Sequence, residues 1–509
     1  MRTRYSFYNF IVSTITAIVL PLVGFLKVQL FISLYGDQLN GLQVTMAQVI
    51  TFLNICELAY SLAFRQLLFK PLAKGDKQTV LSIYHGATKI FKFTGAAVLV
   101  LGVIVALVFP FFAQSPLNYI QTVLMFIALC IPYGISYFLM GPNFVIIADQ
   151  KEYKINIWIQ SFAIIRMFLM ILVILAGLPF VFILIIEGLN ILISNIVARK
   201  IALKHYPWLK DKPDTINTKA FTTNAKYTII QRVATLATNN TDNIVITMFM
   251  GYTMTSVYGV YSYLTEAASK IISSMITSPI NSFGNLFNDE TSDSYKVFTE
   301  FFNFGTYVAS IASICLFIVM PQFVDIWMKH EKLYEVTFII ALLFAINIFY
   351  MTMREPIIIS RDANGLFKEA KNNAYCVAIV KVVLSVVLIQ YLGITGVLFA
   401  TLISNLVVDF LYNPILVYKR VFKLNPLRYY KMVISRLLIA IGIGAAGYLV
   451  WNYNIAFVSG GFVKFFIACI ILGISVVLAI SIIYIVSYQS FRNLIRRIFS
   501  IFKRKVMSK

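Results

Sequence analysis

Fourteen apolar runs, each about 18 residues or longer and bounded by polar or turn-forming residues, decide what this chain can fold into. They cover 9–34, 42–66, 90–112, 118–147, 155–177, 179–198, 226–250, 257–280, 297–320, 334–359, 374–391, 394–417, 433–452 and 461–487. A hydrocarbon core about 30 Å thick needs about 20 apolar residues of helix, so each run predicts one crossing. The runs are continuous rather than alternating and exceed the roughly 10 residues of a barrel strand, which favours helices over barrel strands. With 60% hydrophobic residues and a mean hydropathy of +0.82, the chain lies well above soluble composition. The expected fold is an all-α polytopic membrane protein with about 14 transmembrane helices.

The net charge of +22 invites a nucleic-acid reading, and the placement of the 43 basic residues argues against it. Putting the N-terminus in the cytoplasm gathers most of them on one side, from Arg2 and Arg4 through Arg65 to Lys92, Arg199 to Lys226, Lys419 to Lys431 and the tail Arg492 to Lys509. The opposite loops keep Lys329, Lys332 and Lys464. This is the positive-inside bias, and it predicts that both termini are cytoplasmic. Phe491, Ile495, Ile498 and Ile501 form an apolar stripe in the basic tail, which either lies on anionic headgroups or simply orients the chain. The first run is too long for a signal peptide and lacks a cleavage site, so it reads as a retained helix. The five cysteines fall in predicted helices without CxxC spacing, which points to packing rather than to zinc or disulfides.

The chain reads as built twice. Leu34-Tyr35-Gly36 aligns with Phe249-Met250-Gly251, and the same offset of 215 places Arg166 over Lys381 in mid-helix. The expected organisation is a six-helix lobe over 1–205, a cytoplasmic linker over 206–225, a second six-helix lobe over 226–430, helices 13 and 14 over 431–490, and a basic tail over 491–509. Even numbers of spans give the two pseudo-symmetric lobes one orientation, about an axis along the membrane normal.

Polar residues recur at helical spacing on four of these helices. Asn9, Ser13, Thr16, Gly24 and Lys27 share one face of the first; Asn54, Glu57, Ser61 and Arg65 share one face of the second. Arg232, Thr235, Asn239 and Asp242 repeat the pattern on the seventh, and Ser262, Glu266, Lys270, Ser273 and Thr277 on the eighth. A charge in hydrocarbon costs at least about 2.5–3.5 kcal/mol, so such residues face partners or water. Lys27, Arg65, Arg166, Arg232, Lys270 and Lys381, with Asn54 and Asn239, are the candidate binding residues. Arg suits a diphosphate through bidentate bonds, Lys as a point charge, and the amides suit sugar hydroxyls. The plain alternatives are snorkelling for Lys27, an interfacial anchor for Arg65, structural pairing with helix carbonyls for Arg166 and Lys381, and structural ion pairs with other helices for Arg232 and Asp242.

The string Phe31-Ile32-Ser33-Leu34-Tyr35-Gly36 through Asn40-Gly41-Leu42, then Glu57-Leu58-Ala59-Tyr60 and Lys70-Pro71-Leu72-Ala73-Lys74-Gly75-Asp76, resembles the opening of Wzx-type polysaccharide flippases. Asp242-Asn243-Ile244-Val245-Ile246, Gly251 and Val257-Tyr258-Gly259-Val260-Tyr261 are similar to that family's seventh and eighth helices. Its superfamily also holds lipid II flippases and MATE drug exporters. The resemblance covers essentially the whole chain, including a 12 + 2 helix count. It implies a MATE-like, two-lobed transporter of the bacterial inner membrane that rocks between inward-open and outward-open states, with a cationic central cavity. The implied cargo is an undecaprenyl-diphosphate-linked glycan whose tail stays among membrane lipids, and polysaccharide assembly proteins are implied partners. Lipid II flippases resemble this chain in cavity cations on helices one, two and eight, here Lys27, Arg65 and Lys270.

No phosphate-binding loop for ATP occurs in the sequence, so secondary transport on a proton or Na⁺ gradient is expected; Glu57, Asp242 and Glu266 are the carboxylates that would either couple to the ion or neutralise the cavity cations. His85, His205 and His330 lie in or near predicted loops, away from a membrane relay. Gly442-Ile443-Gly444-Ala445-Ala446-Gly447 matches GxGxxG inside a span, where small-residue helix packing explains it better than a nucleotide. Arg354-Glu355-Pro356 reads as a helix stop or a gate. Two other functions compete. A MATE-type exporter of organic cations would prefer an acidic cavity. A polytopic glycosyltransferase or polymerase would need a larger outer loop than Pro321 to Leu333.

Overall fold

The computed structural model describes residues 2–111, 115–214, 236–238, 240–277, 294–459 and 461–496. Among these there is no strand, and eleven helices are long and apolar enough to cross a membrane, joined by the shorter apolar segment Val19–Tyr35. The chain is a multi-pass membrane protein of all-α class. By packing it divides into two compact units, Met1–Gly259 and Val260–Lys509.

In the first unit the helices are α1 (Arg2–Tyr35), α2 (Asp37–Leu53), α3 (Ile55–Lys74), α4 (Lys77–Val108), α5 (Tyr119–Leu139), α6 (Gly141–Ala148), α7 (Tyr153–Leu175) and α8 (Val181–His205). Helix α9 (Asp242–Thr277) begins in this unit and bends at Gly251. Helix α1 lies along α7, and α5 lies between α4 and α8. One aromatic core gathers Phe31, Phe109, Phe126 and Phe180, and another gathers Phe64, Phe91, Tyr137 and Phe144.

The loops expected around 36 and 251 are absent. Gly36 has φ 86° and ψ 167°, and Gly251 has φ 82° and ψ 178°. That region is open to glycine almost alone, so one residue changes the chain direction between two membrane helices. The correspondence extends further along the same offset, because Gln150 and Gly365 both have positive φ, at 59° and 70°. Broken helices recur too. Helix α5 gives way to α6 at Met140, followed by Pro142, and α11 (Phe338–Met353) gives way to α12 (Glu355–Ala363) at Arg354, followed by Pro356. Proline at the first turn of a helix starts the new segment without an orphaned donor. The Arg354-Glu355-Pro356 string is therefore a stop followed by a restart.

Two further differences from the sequence reading have local causes. The span expected over 42–66 is broken at Asn54, whose φ of −88° and ψ of 10° end α2 and begin α3. The polar stretch from Arg65 to Lys92 is helical except for one tight turn. Gly75 ends α3 in a left-handed conformation, with the Gly75 and Asp76 N–H groups donating to Leu72 and Pro71. Asp76 then caps α4 by accepting from the Thr79 N–H at 3.0 Å.

The second unit continues with α10 (Ser294–Trp327), α11, α12, α13 (Phe367–Leu392) and α14 (Ile394–Ser404). A π turn over Asn405–Asp409, α15 (Phe410–Val417) and a second π turn over Tyr418–Phe422 complete that span. Helices α16 (Leu427–Tyr453) and α17 (Phe462–Ser487) both pack on α10. Arg436 of α16 donates through Nε and Nη2 to Asn303 Oδ1 of α10 at 3.2 and 2.8 Å. Its guanidinium lies 3.8 Å from the Tyr488 ring centroid. A Cβ at Gly447 would stand 3.0 Å from Ile318, so the GxGxxG string serves helix packing. Cys130 is buried, whereas Cys376 is exposed, contrary to the packing role expected of every cysteine.

Candidate functional site

The first unit brings together two of the predicted cations and a carboxylate that the helix patterns did not single out. Lys27 of α1 is half-buried, with Nζ 3.5 Å from Gln43 Oε1 of α2 and 5.1 Å from the Phe31 ring centroid. Arg166 of α7 donates through Nη1 to Glu187 Oε1 of α8 at 3.1 Å, and the two side chains are 22% and 24% exposed. The Lys27 ammonium lies within electrostatic reach of both Glu187 and Arg166, and Tyr133 of α5 within reach of Glu187, Arg166 and Glu57. Two cations thus neighbour one part-buried carboxylate. Lys27, Arg166 and Glu187 together carry one net positive charge, with Glu57 near Tyr133 at the edge of the group. Arg166 also keeps a buried Nε with no hydrogen-bond partner among the described residues.

Glu187 had a signal of its own, as an acidic residue inside an apolar run, opposite in sign to Arg166. What the sequence withheld was which helices are neighbours. α7 and α8 pack side by side, and that brings residues 21 positions apart into contact.

Asn54, placed at the α2/α3 break, is buried, with both side-chain polar atoms lacking a hydrogen-bond partner among the described residues. A buried amide left unsatisfied costs about 1–3 kcal/mol, so the position favours a polar ligand or water. Glu57 follows on α3, half-buried. Arg65 lies farther along the same helix, its Nε bonded to the Ser61 carbonyl at 3.2 Å. Asp242 is buried at the start of α9 and accepts from the Tyr258 hydroxyl at 2.9 Å. Arg232 and Asn239, and Thr235 beside them, lie outside the described residues.

In the second unit the candidates separate. Lys270 is exposed on α9 one turn from exposed Glu266, and the two form an oppositely charged i, i+4 neighbourhood. Lys381 of α13 is 1% exposed. The position matching Glu187 by the 215-residue offset is Leu402, so the Arg166–Glu187 pair has no copy there.

The second unit instead carries a buried polar network centred on Asp409, in the first π turn. Asp409 accepts from the Tyr350 hydroxyl at 2.6 Å, Arg354 Nη1 at 2.9 Å, Asn373 Nδ2 at 3.0 Å and Asn413 Nδ2 at 2.6 Å. Arg361 Nη1 in turn donates to Asn413 Oδ1 at 3.1 Å. Four donors on one carboxylate satisfy it fully, as a buried charge requires.

No family model and no curated protein matches the sequence. Solved structures do match the fold. A structure described as the lipid II flippase MurJ in an inward closed conformation aligns with 95% of this chain and 100% of its own, with a TM-score of 0.68 and 15% identity. An inward-facing multidrug resistance MATE family transporter of the MOP superfamily aligns with 79% of this chain and 96% of its own, TM-score 0.57, 11% identity. A MOP superfamily transporter from Pyrococcus furiosus, described as having reverse polarity of its binding pocket, aligns with 82% and 95%, TM-score 0.57, 13% identity. The chain has the MurJ and MATE transporter fold.

Proposed function

We propose that this protein is a flippase that carries a polyprenyl-diphosphate-linked oligosaccharide across the bacterial plasma membrane by alternating access, its N- and C-termini in the cytoplasm. The observation that carries the reading is the Lys27–Arg166–Glu187 cluster, cationic in sum and only partly buried. A diphosphate headgroup engages Lys27 and the unused donors of Arg166, Asn54 bonds sugar hydroxyls, and the tail remains in lipid. The repeat units of a capsule or O-antigen are cargo of this kind, and polysaccharide assembly proteins are the partners that would supply and receive them. Glu57, Asp242 and Glu266 are assigned to coupling with a proton or Na⁺ gradient, which predicts that dissipating the gradient stops export. A MATE-type exporter is the second reading, favoured by the MATE transporter's likeness in fold.

Charge-assisted hydrogen bonds are worth about 1.5–3 kcal/mol each, so Lys27→Ala and Arg166→Ala should each lower headgroup affinity about tenfold or more. The check is export in a complementation assay, with membrane abundance measured alongside. Lys89→Ala, which removes an exposed charge elsewhere, should leave export intact. Full export by both Lys27 and Arg166 variants would end this assignment.

A further inference from the structure

A groove of about 730 Å³ in the second unit runs between α13 and the span that ends at Phe422. Its wall includes Val407, Leu411, Ile415 and Lys419, a row at four-residue intervals. In an unbroken α-helix each such step overshoots a full turn by about 40°, and three steps would carry Lys419 roughly 120° away from Val407. The π turns at Asn405–Asp409 and Tyr418–Phe422 hold more residues per turn and take back part of this drift. A greasy strip therefore ends in a pair of cations, Lys419 and Arg420, on one side of one groove. Val407 is 57% exposed and Leu411 48%, which suits contact with acyl chains.

The polar end has its own chemistry. Lys419 and Arg420 are exposed and form no ion pair among the described residues, and no carboxylate lines the groove.

We propose that this groove binds a membrane glycerophospholipid with an anionic headgroup: an acyl chain lies along Val407, Leu411 and Ile415, and the phosphate sits on Lys419 and Arg420. The site is separate from the cargo cluster in the first unit and does not depend on what that cluster carries.

The test uses the purified full chain in a zwitterionic detergent, with heat stability and retained lipid by native mass spectrometry as readouts, so that transport plays no part. Phosphatidylglycerol should raise the midpoint of unfolding and be retained, and phosphatidylcholine should do neither. The double variant Lys419→Gln/Arg420→Gln should lose at least tenfold in phosphatidylglycerol affinity, while Lys89→Gln/Lys92→Gln, removing equal charge in the first unit, should keep it. Equal stabilisation of the wild type by both lipids would overturn the proposal without recourse to any variant. Retention of phosphatidylglycerol by the Lys419/Arg420 variant, or its displacement by a polyprenyl diphosphate, would overturn it as well.

Discussion

Asp409→Ala is expected to destabilise the protein by about 3 kcal/mol, because it strands a part-buried cation together with three neutral donors. Arg354 Nη1, Tyr350, Asn373 and Asn413 all lose their shared acceptor at once. Asp409→Asn keeps one acceptor oxygen and should cost less, since it removes charge without removing volume. Combining Asp409→Ala with Arg354→Leu should restore part of the loss, because the second change removes the stranded charge. Thermal unfolding in detergent reads all four proteins. A wild-type midpoint for Asp409→Ala would show that the network does not bear on stability.

Gly41→Ala should have the next largest effect, in the first unit. A Cβ at Gly41 would stand 1.8 Å from the Tyr252 carbonyl oxygen and 2.6 Å from its carbon. Both are backbone atoms, so no rotamer change relieves the overlap and α2 must back away from α9. The loss falls on a row of polar contacts between them. Asn40 Nδ2 donates to Ser256 at 2.8 Å, the Thr45 and Thr247 hydroxyls meet at 2.7 Å, and Asn243 Nδ2 donates to Gln48 at 3.3 Å. Overpacking of this kind costs about 1–3 kcal/mol before the hydrogen bonds are counted. At Gly259 the nearest atom to a new Cβ is Val44 Cγ2 at 3.5 Å, so Gly259→Ala should be neutral or slightly stabilising. Cross-linking of an Asn40→Cys/Ser256→Cys protein measures the separation directly. Addition of Gly41→Ala should lower its yield, and an unchanged yield would mean that α2 tolerates the extra carbon in place.

Hydrophobic transfer is a property of each segment by itself, and for that reason the spans, their helical nature and the all-α class were legible in composition and run length. Glycine at 36 and 251 was legible for a similar reason, since a backbone region closed to other residues leaves a mark in the string. The break at Asn54 was hidden within a continuous apolar run, whereas the stop at Arg354 was signalled by the proline two residues on. Arg166 and Lys381 align by offset, and yet one pairs with Glu187 near the surface while the other is buried, because the neighbouring helix differs at Glu187 and Leu402. Asp409 attracted no attention as a lone acid inside the run 394–417, although it organises four donors.

The amino-acid order therefore determined where the chain is helical, where it bends on glycine, and which charges must find company inside a membrane. Tertiary structure decided the company itself: Glu187 for Arg166, Gln43 for Lys27, Arg354 for Asp409. Pairing energy depends on distances between side chains of different helices, and helix packing sets those distances, which no single segment encodes.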